Sequence, residues 1–260
     1  EVRKAQADYL KKHNLWDLHD LYGTDEASAN VVGELQTTYK KYIDAVRDVK
    51  VMQTGWNPNP KLKNLVKIWC PLTSSADMKL VKEAQAAGDE VWWYVCCGPQ
   101  APYANLFVDY PGIDHRILGW QTFQYDITGF LYWGLDVWHY AHNDLPIDDY
   151  INADYANWNP TSFANFNGDG YLCYPGKKGT AVPSMRLALL RDGFEDCDML
   201  NEAKTLAAKA GKAGEKLMKL IKIGPSISKD LTHYTSDGNV LLQKREEIML
   251  EMEKVQKTIK

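Results

Sequence analysis

Residues 90–99, EVWWYVCCGP, form a nearly continuous apolar run. A run of that kind is expected of a strand buried on both faces, as strands of parallel sheets are. Such a sheet needs crossover helices, and the flanking sequence offers them. From Ala27 to about Val49, apolar residues Val31, Val32, Leu35, Tyr39, Tyr42, Ile43 and Val46 recur at helical spacing. Ser75 to Ala87 reads as a second helix, with Ser75 or Ser74 as N-cap and Gly88 as its stop. A third is expected over 115–128, and the chain opens on a helix over 1–13.

Strand candidates lie at 17–23 (DLHDLYG), 50–55, 64–72, 90–97 and 130–135. Five strands suffice for a doubly wound sheet, whereas a closed (β/α)8 TIM-type barrel needs eight. The loops after the strands are long and rich in Trp, Tyr, Asn, Asp and Pro, and those after the helices are short. Barrels carry function on the loops that follow strands, so the asymmetry favours an α/β barrel to which this chain supplies about the last five βα units. Residues 144–179, rich in Asn, Asp, Gly, Tyr and Pro, are expected to form a loop or lid over the barrel mouth. Pro183-Ser184 opens a further helix. The expected division is a partial barrel over 1–205 and a C-terminal helical extension over 206–260, packed on the barrel exterior.

Composition narrows the function. A hydrophobic share of 45% with 25% charged residues is ordinary for a globular chain. A net charge of −4 gives no reason to expect nucleic acid as a partner. No apolar run approaches the roughly 20 residues of a membrane helix, so no membrane partner is expected. The polar opening EVRKAQADYLKKH is unlike a signal peptide and does not begin with Met, which favours a processed or trimmed product. Five cysteines (Cys70, Cys96, Cys97, Cys173, Cys197) show no metal-type spacing and read as structural thiols, with a disulfide or a reactive thiol as the alternative. Nine Trp and fifteen Tyr suit either a sugar-binding cleft or a large aromatic core.

Asp25 and Glu26 follow the first strand, where barrel enzymes display catalytic groups. Strand neighbours point to opposite faces, so both can enter one cleft only if the chain turns at Gly23-Thr24. Two carboxylates side by side raise each other's proton affinity, which helps keep one protonated as a general acid. Alternatively, the two acids simply open the next helix, where the dipole favours them. Adjacent carboxylates suit substrate-assisted glycoside cleavage better than the usual pair that flanks the sugar. His115 and Arg116 read equally as mouth residues or as helix caps. His139 and His142 lack a third ligand at useful spacing, so no metal is expected. No phosphate loop and no Gly-x-Ser-x-Gly elbow is present. Asp192, Glu195, Asp196 and Asp198 share a helix with Arg186 and Arg191 and read as ion pairs that lock it.

YGTDE (22–26), the block from Glu90 to Trp138 and DGYLCYPGKKGTAVPSMRLALLRDGFEDCDML (169–200) closely resemble the barrel of glycoside hydrolase family 123. The resemblance runs over residues 15–205 or so. It implies an exo-acting, retaining β-N-acetylgalactosaminidase without cofactor, acting on a glycan or glycoconjugate, with a secreted or extracellular location favoured. In that reading Asp25 orients and polarises the 2-acetamido group, and Glu26 serves first as acid and then as base. Aromatics at the later strand ends would line the sugar pocket: Trp56, Trp93, Tyr94, Tyr103, Trp120, Tyr125, Trp133 and Trp138. Roughly half of those on strands should face inward. Two features depart from the family pattern. Ala27 stands where the family often has Pro, and the barrel's first three strands are absent. An open remnant would expose sheet edges, so a companion chain supplying those strands is expected. Another β-N-acetylhexosaminidase, or a carbohydrate-binding barrel without turnover, is the alternative.

Overall fold

The structure, a computed structural model, describes residues 2–137, 160–177 and 180–259. The protein is mixed α/β and divides into two compact units, residues 1–94 with 127–131 and residues 95–126 with 132–260.

The first unit is built on a curled five-stranded parallel sheet: β1 (Leu21–Tyr22), β2 (Val51–Thr54), β3 (Ile68–Cys70), β4 (Glu90–Val95) and β5 (Gly129–Tyr132). The strands lie side by side in chain order. A doubly wound sheet reverses its order at a switch point. This one has no reversal, so the doubly wound alternative is set aside and half a barrel remains. All four residues of β2 and all three of β3 are buried, as strands covered on both faces require. Helix α1 (Val2–Lys12) precedes the sheet, α2 (Val32–Ala45) joins β1 to β2, and α3 (Met78–Ala86) joins β3 to β4.

Register assigns the faces. Met52 pairs with Ile68, Gln53 with Trp69, Thr54 with Cys70, and Trp69 with Val91. Side chains alternate along a strand. Met52, Thr54, Ile68, Cys70 and Tyr94 therefore share one face, and Gln53, Trp69, Val91 and Trp93 share the other. The second face carries helix α2, whose Tyr39 hydroxyl donates to Gln53 Oε1 at 2.5 Å.

Two local expectations are corrected. The strand expected at 17–23 shortens to Leu21–Tyr22, because Trp16–Leu18 closes a 3-10 turn ahead of it. The N-cap of α3 is Asp77, not Ser74 or Ser75, which are taken up in another 3-10 turn. The Asp77 carboxylate accepts from the N–H groups of Lys79 and Leu80 at 2.9 and 3.2 Å.

The second unit is helical around α4 (Gly112–Gln124) and α5 (Met185–Ala210), joined by α6 (Glu215–Leu220), α7 (Gly238–Thr258) and an antiparallel ribbon of β6 (Cys173–Pro175) and β7 (Ala181–Pro183). Ser184 caps α5 by accepting from Leu187 N–H at 3.2 Å. The boundary expected at residue 205 falls inside α5. Helices α4 and α5 touch backbone to backbone: a Cβ on Gly119 would overlap the Gly193 carbonyl, and one on Gly193 would overlap that of Arg116. Neither backbone can yield as a flexible side chain would. Gly119→Ala is therefore expected to destabilise this unit by about 1–3 kcal/mol through overpacking, read as a lowered urea midpoint at unchanged slope.

Candidate active site

The site begins with a turn. After β1, a Cβ at Gly23 would lie 2.5 Å from both the Met52 carbonyl oxygen and the Tyr39 hydroxyl, so only glycine lets the chain pass there. Tyr39 Oη accepts from Thr24 N–H at 2.9 Å, and Gln53 Nε2 donates to the Thr24 carbonyl at 2.8 Å. Both backbone groups of Thr24 are thus clamped by buried side chains, and the two residues that follow are held out from the strand.

Those residues are Asp25 and Glu26, and both are exposed. Asp25 Oδ1 accepts from Tyr22 Oη at 2.8 Å and from Thr54 Oγ1 at 2.9 Å. Both donors take one oxygen, so among the described residues Oδ2 receives none. Both hydroxyls can supply a proton at neutral pH. Burial pushes the Tyr22 phenol up to about 12, which keeps it a donor. Cys70, level with Thr54 on the same face, is also pushed up to about 12, by burial first and then by the Asp25 charge, so it stays a neutral thiol.

Glu26 is held differently. Its N–H donates to Thr54 Oγ1 at 3.2 Å, and the Tyr94 phenol donates to its Oε1. Its φ of +40° lies in the left-handed region that non-glycine residues seldom occupy. Gly55 makes room for that conformation: a Cβ there would sit 3.1 Å from Glu26 Cα and 3.2 Å from Cγ. Trp56 Nε1 donates to the Ala27 carbonyl at 2.6 Å and ties down the next residue. Tyr22, Thr54 and Tyr94 come from β1, β2 and β4, each at or beside the strand's C-terminal end. That is the end at which barrels place reactive groups. The arrangement holds one acid by two hydroxyl donors while presenting a second, singly tethered acid to a ligand.

The expected aromatic lining divides. Tyr94 reaches Glu26, and Trp56 stands half-exposed next to Gly55. Trp93, adjacent to Tyr94 on β4, therefore points to the opposite, helix-covered face and is completely buried. Trp120 is completely buried in α4, its Nε1 donating to Asp196 Oδ2 at 2.9 Å. Neither ring offers a face to a sugar, so both are core residues in this structure. In the second unit, Tyr103 and Tyr125 are half-exposed, and Trp133 is 37% exposed with its Nε1 donating to Asp169 Oδ1 at 2.9 Å. Trp138, with His139 and His142, lies outside the described residues.

Other polar candidates are structural. His115 is buried, its Nδ1 2.9 Å from the Asn105 carbonyl, and burial lowers its pKa. Arg116 pairs with Asp196 through two contacts at 2.8 and 3.1 Å. Arg191 pairs with Asp192 and Glu195, as expected, whereas Arg186 donates to three carbonyls, those of Leu106, Gly168 and Tyr171. Sequence reasoning missed Tyr22 and Thr54 as supports of the acid pair. Tyr22, three residues before Asp25, carried the only usable signal.

Comparison with known proteins bears on the family and the fold. The sequence matches the family model described as glycoside hydrolase 123, catalytic domain, over residues 4–203. A solved structure of a family 123 glycoside hydrolase from Clostridium perfringens, analysed for details of glycolipid glycan hydrolysis, is similar in fold with a TM-score of 0.58 at 16% identity. The similarity covers 99% of this chain and 43% of that one, so this chain spans less than half the length of its structural neighbour. A comparison with curated proteins gives no sequence match. With a family match over residues 4–203, well above half of its length, the chain belongs to glycoside hydrolase family 123.

Proposed function

We propose that the protein removes terminal β-linked N-acetylgalactosamine with retention of configuration, by substrate-assisted catalysis at Asp25 and Glu26. The observation that carries this reading is the unequal tethering of the two acids. Asp25 has two hydroxyl donors on Oδ1, and Oδ2 is left to accept the acetamido N–H of a bound sugar. An anion there stabilises the positive charge that spreads onto the amide as its oxygen attacks the anomeric carbon. Glu26, tethered by the Tyr94 phenol, protonates the departing oxygen and then takes a proton from the water that opens the oxazolinium-type intermediate. Two inversions at one carbon give net retention.

Trp56, in the same unit as the acid pair and half-exposed, is the candidate for sugar contact. The half-barrel is completed to eight strands by three preceding strands from a companion polypeptide or from another part of the protein. The open edge of β1 is where they would join.

The protein carrying this chain is incubated with p-nitrophenyl β-N-acetylgalactosaminide and the first-formed sugar is followed by NMR. The expected product is the β anomer, and turnover falls steeply when the acetamide is fluorinated, because its oxygen is then a poorer nucleophile. An α product, or indifference to fluorination, would overturn the substrate-assisted reading. Faster turnover of the N-acetylglucosamine analogue would point to a hexosaminidase of other preference, and binding without release to a carbohydrate-binding barrel.

A further inference from the structure

Five cysteines are reduced in this structure, and two of them stand apart from the rest. Cys96 and Cys97 are adjacent in sequence, both half-exposed, with Sγ atoms 3.9 Å apart. Cys70 and Cys197 are buried, and Cys173 has no cysteine beside it in the chain. The sulfurs of the pair are in van der Waals contact without any movement of the loop that carries them.

That loop is fixed. Cys96 N–H donates to the Gly98 carbonyl at 2.7 Å. Asn105, completely buried, donates through Nδ2 to the Cys96 carbonyl at 3.0 Å and to the Pro99 carbonyl at 2.8 Å, while its Oδ1 accepts from Leu106 N–H at 2.6 Å. The Cys96 carbonyl belongs to the peptide bond that links the two cysteines. The only covalent path between the sulfurs is therefore held in one orientation by a residue with every amide group engaged.

We propose that Cys96 and Cys97 form a vicinal dithiol that low-molecular-weight disulfides oxidise reversibly, a modification site that sugar hydrolysis does not use. The Cys97 thiolate attacks one sulfur of R–S–S–R, forming a mixed disulfide and releasing R–S⁻, which takes up the proton that Cys97 gave up. The Cys96 thiol then loses its proton to solvent and attacks the Cys97 sulfur. The second R–S⁻ leaves and is protonated. Two protein thiols are oxidised to one disulfide, and one small disulfide is reduced to two thiols. Burial pushes the Cys96 thiol up to about 12, which makes it a poor first nucleophile. Closing the bond shortens the gap from 3.9 Å to about 2.05 Å and turns the shared peptide, loosening the Asn105 contact.

The test uses the whole protein and oxidised glutathione, followed by alkylation of remaining thiols, digestion and mass spectrometry. The expected result is a fragment containing both cysteines, unalkylated and lighter by two hydrogens, restored by dithiothreitol, while Cys173 is alkylated. Cys96→Ser is expected to stop at a glutathione adduct on Cys97. One equivalent of phenylarsine oxide should bind the reduced protein, protect the pair from alkylation, and be lost in either single serine variant. Alkylation of both cysteines after oxidant, or stable glutathione adducts on the unsubstituted protein, would overturn the proposal. So would arsenical binding that survives in both serine variants.

Discussion

Glu26→Gln is expected to lower turnover of a β-N-acetylgalactosaminide by about 10²–10⁴-fold, the usual contribution of a positioned proton donor. The amide keeps the length and nearly the shape of the acid and can still accept from Tyr94, so the turn at φ +40° has no new reason to change. What is lost is the proton. The deficit should therefore depend on the leaving group. A nitrophenolate departs with little protonation and will show the smaller loss, while an alkyl or sugar leaving group will show the larger one. Asp25→Asn is expected to behave otherwise. It removes the negative charge proposed to face the amide, so oxazolinium formation should slow by roughly 10²–10³-fold, whatever departs. A neutral side chain at 25 also gives Tyr22 and Thr54 a weaker acceptor. Rates of both variants across a series of aryl leaving groups check this: a steepened dependence for Glu26→Gln with an unchanged one for Asp25→Asn. Equal slopes for the two would refute the division of labour.

The sheet was legible because its central strands are buried on both faces. Apolar runs such as VWWYV (91–95) have no other easy home, and their order along the chain became their order in space. The position of Asp25 and Glu26 could be read for the same reason, since the end of a parallel strand is where a barrel exposes its chain. Their supports could not be read. Whether Trp93 or Tyr94 faces the site depends on register, and register is fixed by pairings such as Ile68 with Glu90, 22 residues apart in sequence. Trp120 misled for a related reason. Helix α4 is buried on nearly every side, so its sequence has no polar stripe to say which aromatic is core. The expected boundary at 205 lies inside α5, which continues to Ala210 before Gly211 ends it at φ +55°.

In the second unit, Asp196→Ala is expected to cost about 3–5 kcal/mol of stability, the range seen when one partner of a buried ion pair is removed. Asp196 is completely buried on α5. Its carboxylate meets Arg116 of α4 through two contacts, the Trp120 indole N–H at 2.9 Å, and Arg245 of α7 at 2.8 Å. Three helices therefore converge on one charge. Removing it strands the mostly buried Arg116 guanidinium in a low-dielectric interior and orphans the buried Trp120 indole donor. Asp196→Asn should cost less, since the amide oxygen still accepts one hydrogen bond although the charge balance is gone. Arg191→Ala supplies the contrast. Its partners Asp192 and Glu195 lie on the surface, where screening and side-chain entropy leave such pairs worth about 0–1 kcal/mol. Urea unfolding followed by far-ultraviolet circular dichroism checks the ranking Asp196→Ala, Asp196→Asn, Arg191→Ala. Comparable losses for the first and last would show that the buried carboxylate does not organise the three helices.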